Sequence, residues 1–220
     1  MARWMTGVLV VAMLAAAPMA LLAAEGDGWT ALFDGKDLSQ WKCKPNGWSI
    51  DDEGALAWKK GSGYIWSKEK YGNFILDLEV KVSKGCNSGM FIRSDPRNAV
   101  QGGIEIQVLD SHGKKPNKHT FGAVYDALAP SKEVTKAAGE WNHVTITCND
   151  NKIEVVVNGQ QIIDMDLDKW TEPNKNADGS KNKFRKPLKD FARTGHLGFQ
   201  DHGRAVWYRN VKIKVLDETK

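Results

Sequence analysis

Asn73-Phe74-Ile75-Leu76-Asp77-Leu78-Glu79-Val80-Lys81-Val82 alternates apolar and more polar residues without a break. Successive side chains of a strand point to opposite sides of a sheet, so Phe74, Leu76, Leu78, Val80 and Val82 share one face. A helix would scatter the same five residues around its axis. The stretch is a strand with one buried face. Outward from it, similar short runs recur at residues 29–33, 48–50, 55–58, 64–66, 90–94, 103–109, 142–147, 152–157, 161–165, 196–200 and 205–215. Turn residues separate them. Asp34-Gly35-Lys36-Asp37 is a turn, Asp51-Asp52-Glu53-Gly54 predicts a hairpin, and Asn158-Gly159 between two β-rich runs predicts another. No segment of helical length keeps a helical period, and residues 186–193 read as one short helix. The pattern predicts an all-β chain, an antiparallel β-sandwich of the jelly-roll kind, in a single domain. Residues 110–120 and 170–186 are the long irregular pieces, with residues 174–182 expected to be mobile.

Arg3, the apolar run of residues 7–17 and the small residues Ala23 and Ala24 form a signal peptide over residues 1–24. The run is short and Ala-rich for a membrane span. Residues 25–220 are therefore expected as an exported domain, periplasmic or secreted, with no integral membrane segment after cleavage. The formal net charge is +4; without Arg3 it is +3. So even a balance excludes the electrostatic footprint of a nucleic-acid binder. The lysine-rich residues 175–189 read as a solvated loop. Nine tryptophans, all but Trp4 beyond the signal, are many for this length and suit stacking on the flat faces of sugars. Of three cysteines, Cys148 falls in phase with Val144 and Ile146 as a buried thiol. A Cys43–Cys86 bridge is permitted by an oxidising compartment but not required.

Two strand-like runs carry polar groups where a plain sandwich would have none. Gly103, Glu105, Gln107 and Leu109 share one face, while Ile104, Ile106 and Val108 share the core face. In the preceding run Phe91 and Arg93 are expected to lie together, opposite Met90, Ile92 and Ser94. Three more polar clusters follow: Asp110-Ser111-His112-Gly113, Tyr125-Asp126 with His119 upstream, and Gln200-Asp201-His202-Gly203. Taken singly, each has an ordinary reading as a solvated strand residue, a turn former or a loop histidine. Together, at strand ends beside small residues, they suggest one cleft.

A direct glycosidase needs two carboxylates across the scissile bond. Gln107 cannot serve as one, and Asp110 falls on the opposite pleat from Glu105 unless a bulge intervenes. One carboxylate with a nearby Arg and His suits a different chemistry, in which a proton is removed beside a carbonyl while cationic donors hold the enolate oxygen.

Six blocks resemble, in order, the 3-keto-disaccharide hydrolase family. They are Phe33-Asp34-Gly35-Lys36-Asp37-Leu38-Ser39-Gln40-Trp41, Asn87-Ser88-Gly89-Met90-Phe91-Ile92-Arg93, Gly103-Ile104-Glu105-Ile106-Gln107-Val108-Leu109-Asp110, Gly122-Ala123-Val124-Tyr125-Asp126, Gly139-Glu140-Trp141-Asn142, and Gly195-His196-Leu197-Gly198-Phe199-Gln200-Asp201-His202-Gly203 with Val206-Trp207-Tyr208-Arg209-Asn210-Val211. Cys86 and Phe199 depart from the family's more usual glycine and aliphatic residue. The resemblance implies a concanavalin A-like lectin/glucanase sandwich with a cleft for glycosides oxidised at C3. It carries over Arg93, Glu105, Gln107, Asp126, Gln200, Asp201 and His202 as cleft residues. On this reading Glu105 is the base and His202 the alternative base or the proton donor. Arg93 and Gln107 hold the sugar and its enolate, Asp201 orients His202, and Tyr125, Asp126 and Gln200 bind substrate. A divalent metal on Glu105, Asp201 and His202 would polarise the ketone, though no ligand spacing demands it. The rival reading is a non-catalytic carbohydrate-binding module with tryptophan platforms on the same face.

Overall fold

The computed structural model describes residues 24–25 and 27–217, so the expected signal segment lies outside the described residues apart from Ala24. Among the described residues fourteen strands run in chain order. They are β1 (Ala24–Glu25), β2 (Trp29–Phe33), β3 (Trp41–Lys42), β4 (Ser49–Ile50), β5 (Leu56–Ala57), β6 (Tyr64–Tyr71), β7 (Phe74–Val82), β8 (Asn87–Ser94), β9 (Ile104–Leu109), β10 (Trp141–Asn149), β11 (Lys152–Val157), β12 (Gln160–Asp166), β13 (Gly195–Gln200) and β14 (Val206–Val215).

They form an all-β sandwich of two antiparallel sheets. One follows the order β1-β2-β14-β7-β10-β11-β12, with β4 and β5 attached beside β14; the other follows β3-β6-β13-β8-β9. The β7 stretch alternates between buried and half-buried along its whole length, as its sequence requires. Its apolar face meets Met90, Ile92, Ile104, Ile106 and Val108 from the second sheet in one core. Each such side chain contributes about 1.5–3 kcal/mol by leaving water. The Asn158-Gly159 hairpin forms between β11 and β12, with both residues at positive φ, 49° and 78°. That is the backbone a two-residue hairpin turn needs. The hairpin at residues 51–54 also forms, joining β4 to β5.

The expected helix over residues 186–193 is reduced to a single 3-10 turn, Leu188–Asp190. Pro187 starts it, and the buried Leu188 and Phe191 face the core three residues apart. All three cysteines are free: Cys43 is exposed, and Cys86 and Cys148 are buried. Burial pushes both buried thiols up to about 12. Among the described residues no helix is long and apolar enough to cross a membrane.

Candidate active site

The outer face of the five-stranded sheet gathers most of the expected cleft. In the antiparallel register Phe91 stands opposite Glu105, Gly89 opposite Gln107, and Asn87 opposite Leu109. Gly198 of β13 lies between Phe91 and Trp66. The two glycines leave room for their neighbours to lie flat across the strands. A Cβ on Gly89 would fall 2.5 Å from Glu105 Oε1, and one on Gly198 would collide with the Trp66 ring. Tyr64 stacks on Trp66 at 5.2 Å and meets Phe91 edge-on at 5.3 Å, with Ala99 closing the far end of this aromatic cluster.

Beyond β9 the chain returns as a short rim. Gly122 donates to the Gln107 carbonyl, Gln107 donates back to Ala123, and Tyr125 donates to the carbonyl of Glu105. This pairing sets Tyr125 beside the Glu105 carboxylate. Asp126 follows in the left-handed region, φ 62°, which Asp tolerates better than most residues. Its Oδ1 lies 3.3 Å from His119 Nε2, and its Oδ2 accepts the backbone N–H of Lys183 at 2.6 Å.

Most of residues 175–189 are exposed, as expected of a solvated loop, but that last bond and others fasten part of the segment to the site. Asn176 is buried and ties the segment down: it accepts from the Trp170 indole and donates to the carbonyl of Asp126. Asn182 donates to Asn176, and Phe184 is buried against Phe191. Gln101 donates to the Lys183 carbonyl and accepts from the Arg185 N–H. Lys183 is thus clamped on both sides. Its ammonium lies 3.6 Å from Glu105 Oε2 and 4.1 Å over the Tyr125 ring. The Glu105 side chain is 12% exposed and that of Lys183 24%.

Burial pushes the Glu105 carboxyl above the usual carboxylate range, against the pull of Lys183. Burial likewise draws Lys183 below the usual lysine range, while Glu105 and Asp126 act to keep it charged. Burial, helped by the charges of Glu105 and Asp126, raises Tyr125. Desolvation disfavours the charged forms of Glu105, Lys183 and Tyr125, which is the usual setting of a working acid or base.

A hydrogen-bonded line leads from Gln107 to His202. Gln107 Nε2 donates to Asn87 Oδ1 at 3.2 Å, so the Asn87 amide nitrogen is left to meet His202 Nδ1 at 3.4 Å. An accepting Nδ1 makes Nε2 the protonated nitrogen. Gln107 Oε1 is buried with no protein partner. Gln200 donates to the Tyr64 hydroxyl at 3.1 Å.

Two expected site residues lie elsewhere. Arg93 does not share the outer face with Phe91. It has φ 48°, which breaks the two-residue alternation and turns its side chain toward the rim between the sheets. There its Nε donates to the Gly72 carbonyl, Nη1 to the Asp150 carbonyl and Nη2 to Asn73 Oδ1, and the residue is 2% exposed. It is an anchor for the β6–β7 and β10–β11 turns. Asp201 does not orient His202. Its carboxylate accepts from the Trp58 indole, from Gly63 N–H at 3.2 Å and from Gly203 N–H at 2.8 Å. Although burial raises it, these bonds hold the Asp201 carboxyl below its usual range. The proposed metal trio therefore does not converge. Among the described residues no three His, Cys, Asp or Glu side chains gather as a ligand set.

The tryptophans also depart from expectation. Trp41, Trp48 and Trp170 are in the core, and Trp141 and Trp207 flank Lys81, which packs its ammonium over both rings. Among the described residues only Trp66 belongs to the aromatic cluster of this face, and it is 9% exposed. A row of open stacking platforms is not what this face offers.

Residues 28–214 match the family described as the 3-keto-alpha-glucoside-1,2-lyase-like domain. The chain belongs to that family. A Bacteroides thetaiotaomicron protein named 3-keto-disaccharide hydrolase is 29% identical over 235 residues, covering 89% of this chain and 81% of its own. Two solved Parabacteroides distasonis proteins, both described as glycosyl hydrolases by assignment, share the fold. The first is 38% identical with a TM-score of 0.79, covering 86% of this chain and 99% of that one. The second is 27% identical with a TM-score of 0.73, covering 86% and 94%.

In this member of the family, sequence reasoning overlooked Lys183 and undervalued Asn87. Lys183 is one of many lysines in its loop. The one available signal was Phe184 beside it, an aromatic residue in an otherwise polar tract.

Proposed function

We propose that the protein cleaves 3-keto-glycosides, 3-keto-disaccharides among them, by elimination followed by hydration. The observation that carries this reading is Glu105: a desolvated carboxylate with a raised pKa, lying over the Gly89 floor beside an aromatic cluster. A ketone at C3 acidifies the proton on C2. Glu105 takes that proton, the C2–H electron pair forms the C2=C3 bond, and the carbonyl pair moves to the C3 oxygen. As the enolate returns to the ketone, the C1–O bond breaks. His202, protonated at Nε2 through the Gln107–Asn87 line, gives its proton to the departing oxygen. Water then adds across the new C1=C2 bond, its oxygen to C1 and a proton to C2. The sum is hydrolysis with one carboxylate.

Gln200 supplies an amide to sugar hydroxyls and Tyr64 an aromatic flank, while Gln107, expected to hold the sugar, is 2% exposed and instead holds Asn87. The signal segment expected over residues 1–24 supports export of this enzyme.

The test is the purified protein with a 3-keto-disaccharide in D2O, with and without chelator. Release of the leaving sugar with deuterium entering at C2 is the expected result. Tight binding with neither release nor exchange would overturn it and leave a carbohydrate-binding module.

A further inference from the structure

We infer that Lys183 is the electrophilic catalyst of the cleft, the cation that binds the C3 ketone oxygen and holds the enolate while Glu105 removes the C2 proton. This rests on the proposed elimination chemistry. The reaction needs a base at C2 and a positive donor at the oxygen on the adjacent carbon. Arg93, the residue expected to supply that charge, spends its guanidinium on Gly72, Asn73 and Asp150. Lys183 instead stands directly across from Glu105.

Three features of its setting fit that role. The 3.6 Å separation from Glu105 Oε2 is too long for a closed ammonium–carboxylate hydrogen bond, which runs near 2.7–2.9 Å. The pair is open enough for a carbonyl oxygen to meet the ammonium without breaking a strong contact. The Lys183 backbone is held on one side by Asp126 Oδ2 and on the other by Gln101 Nε2. That clamp places the long side chain before substrate arrives, and a preorganised donor needs no rearrangement as charge develops. The Tyr125 face, 4.1 Å below the ammonium, and the nearby Glu105 and Asp126 carboxylates favour the charged form that burial opposes.

Electrons and protons balance without a co-reactant. Lys183 keeps its protons throughout. It stabilises the C3 oxygen as the C2–H pair moves in and releases it as the pair moves on to expel the C1 substituent.

The experiment compares wild type, Lys183→Met and Lys183→Arg on a 3-keto-disaccharide and on the same disaccharide bearing a C3 alcohol. Expected for Lys183→Met is a loss of about 100-fold or more in both C2 deuterium exchange and release, the scale seen on removing one oxyanion donor. Binding of the C3 alcohol, which has no carbonyl to polarise, stays at the wild-type level. Lys183→Arg recovers part of the exchange. Wild-type exchange in Lys183→Met would overturn the assignment and leave the elimination reading standing. Loss of alcohol binding together with exchange would also overturn it, making Lys183 a scaffold residue. A reduced covalent adduct on Lys183 after borohydride treatment would replace the ion with a Schiff base. A wild type that neither exchanges nor cleaves would remove the elimination reading, and this role with it.

Discussion

The Glu105 carboxylate occupies the space that a Cβ on Gly89 would need, with Oε1 2.5 Å from that position. Glycine on β8 thus sets where Glu105, the proposed base on β9, lies. In Gly89→Ala the carboxylate must swing away, and because it is the end of a flexible side chain the fold gives little resistance. The expected outcome is a Tm close to wild type with kcat/KM reduced about tenfold or more, the penalty for a misplaced base. Steady-state kinetics beside a thermal melt would check this. Gly198→Ala differs, since the obstruction is the Trp66 ring rather than a chain end. It should cost about 1–3 kcal/mol of stability, as overpacking does.

Arg93 should govern stability and leave the chemistry alone. Arg93→Met removes three donors from the rim of the sandwich and orphans the Gly72 and Asp150 carbonyls. Each buried acceptor left unpaired costs about 1–3 kcal/mol. Denaturant melts should show that loss, while kcat/KM per folded molecule holds. An unchanged melt with lost activity would return Arg93 to the cleft.

The pH dependence follows from the direction of the Glu105 shift. Glu105 acts as a base only when deprotonated, and its folded pKa is raised, so the acidic limb of kcat/KM should lie above the ordinary carboxylate range. Because the folded state holds this proton more tightly than the unfolded chain, ionising Glu105 weakens the fold. Its contribution to stability falls as pH rises from the unfolded value through the folded one. Lys183 pulls the Glu105 pKa down, so Lys183→Met should push the acidic limb higher still. A limb that stays in place in that variant would contradict the pairing. Rates from pH 4 to pH 9 on both proteins would decide.

What the sequence reveals and what it hides have physical causes. Period-two patterning is a property of neighbours, so β7, the β11–β12 hairpin and the shared face of Glu105 and Gln107 are all legible in it. Arg93 fails because a left-handed residue inside a strand reverses the pleat, and arginine, unlike glycine, Asn or Asp, gives no sign of that conformation in sequence. Asp201 fails because its partners, Trp58 and Gly63, come from a segment about 140 residues away. Lys183 fails for the same reason: Asp126 and Gln101, which clamp it, belong to other loops. Strand faces are local facts, whereas the aim of a loop side chain depends on contacts between distant segments.

Asn87 provides the last test, because it separates the two halves of the reaction. It stands between Gln107 and His202 and presents its amide N–H to His202 Nδ1. In Asn87→Leu that donor is gone, and His202 is free to place its proton on either nitrogen. Protonation of the leaving oxygen should suffer while removal of the C2 proton by Glu105 does not. Deuterium exchange at C2 should therefore persist at the wild-type rate while release of a sugar leaving group falls about 100-fold, within the range of a lost general acid. A nitrophenolate leaving group needs no proton, so a 3-keto nitrophenyl glycoside should be cleaved almost as by wild type. Equal losses on both leaving groups would instead make Asn87 a sugar-binding residue and leave His202 without its assigned role.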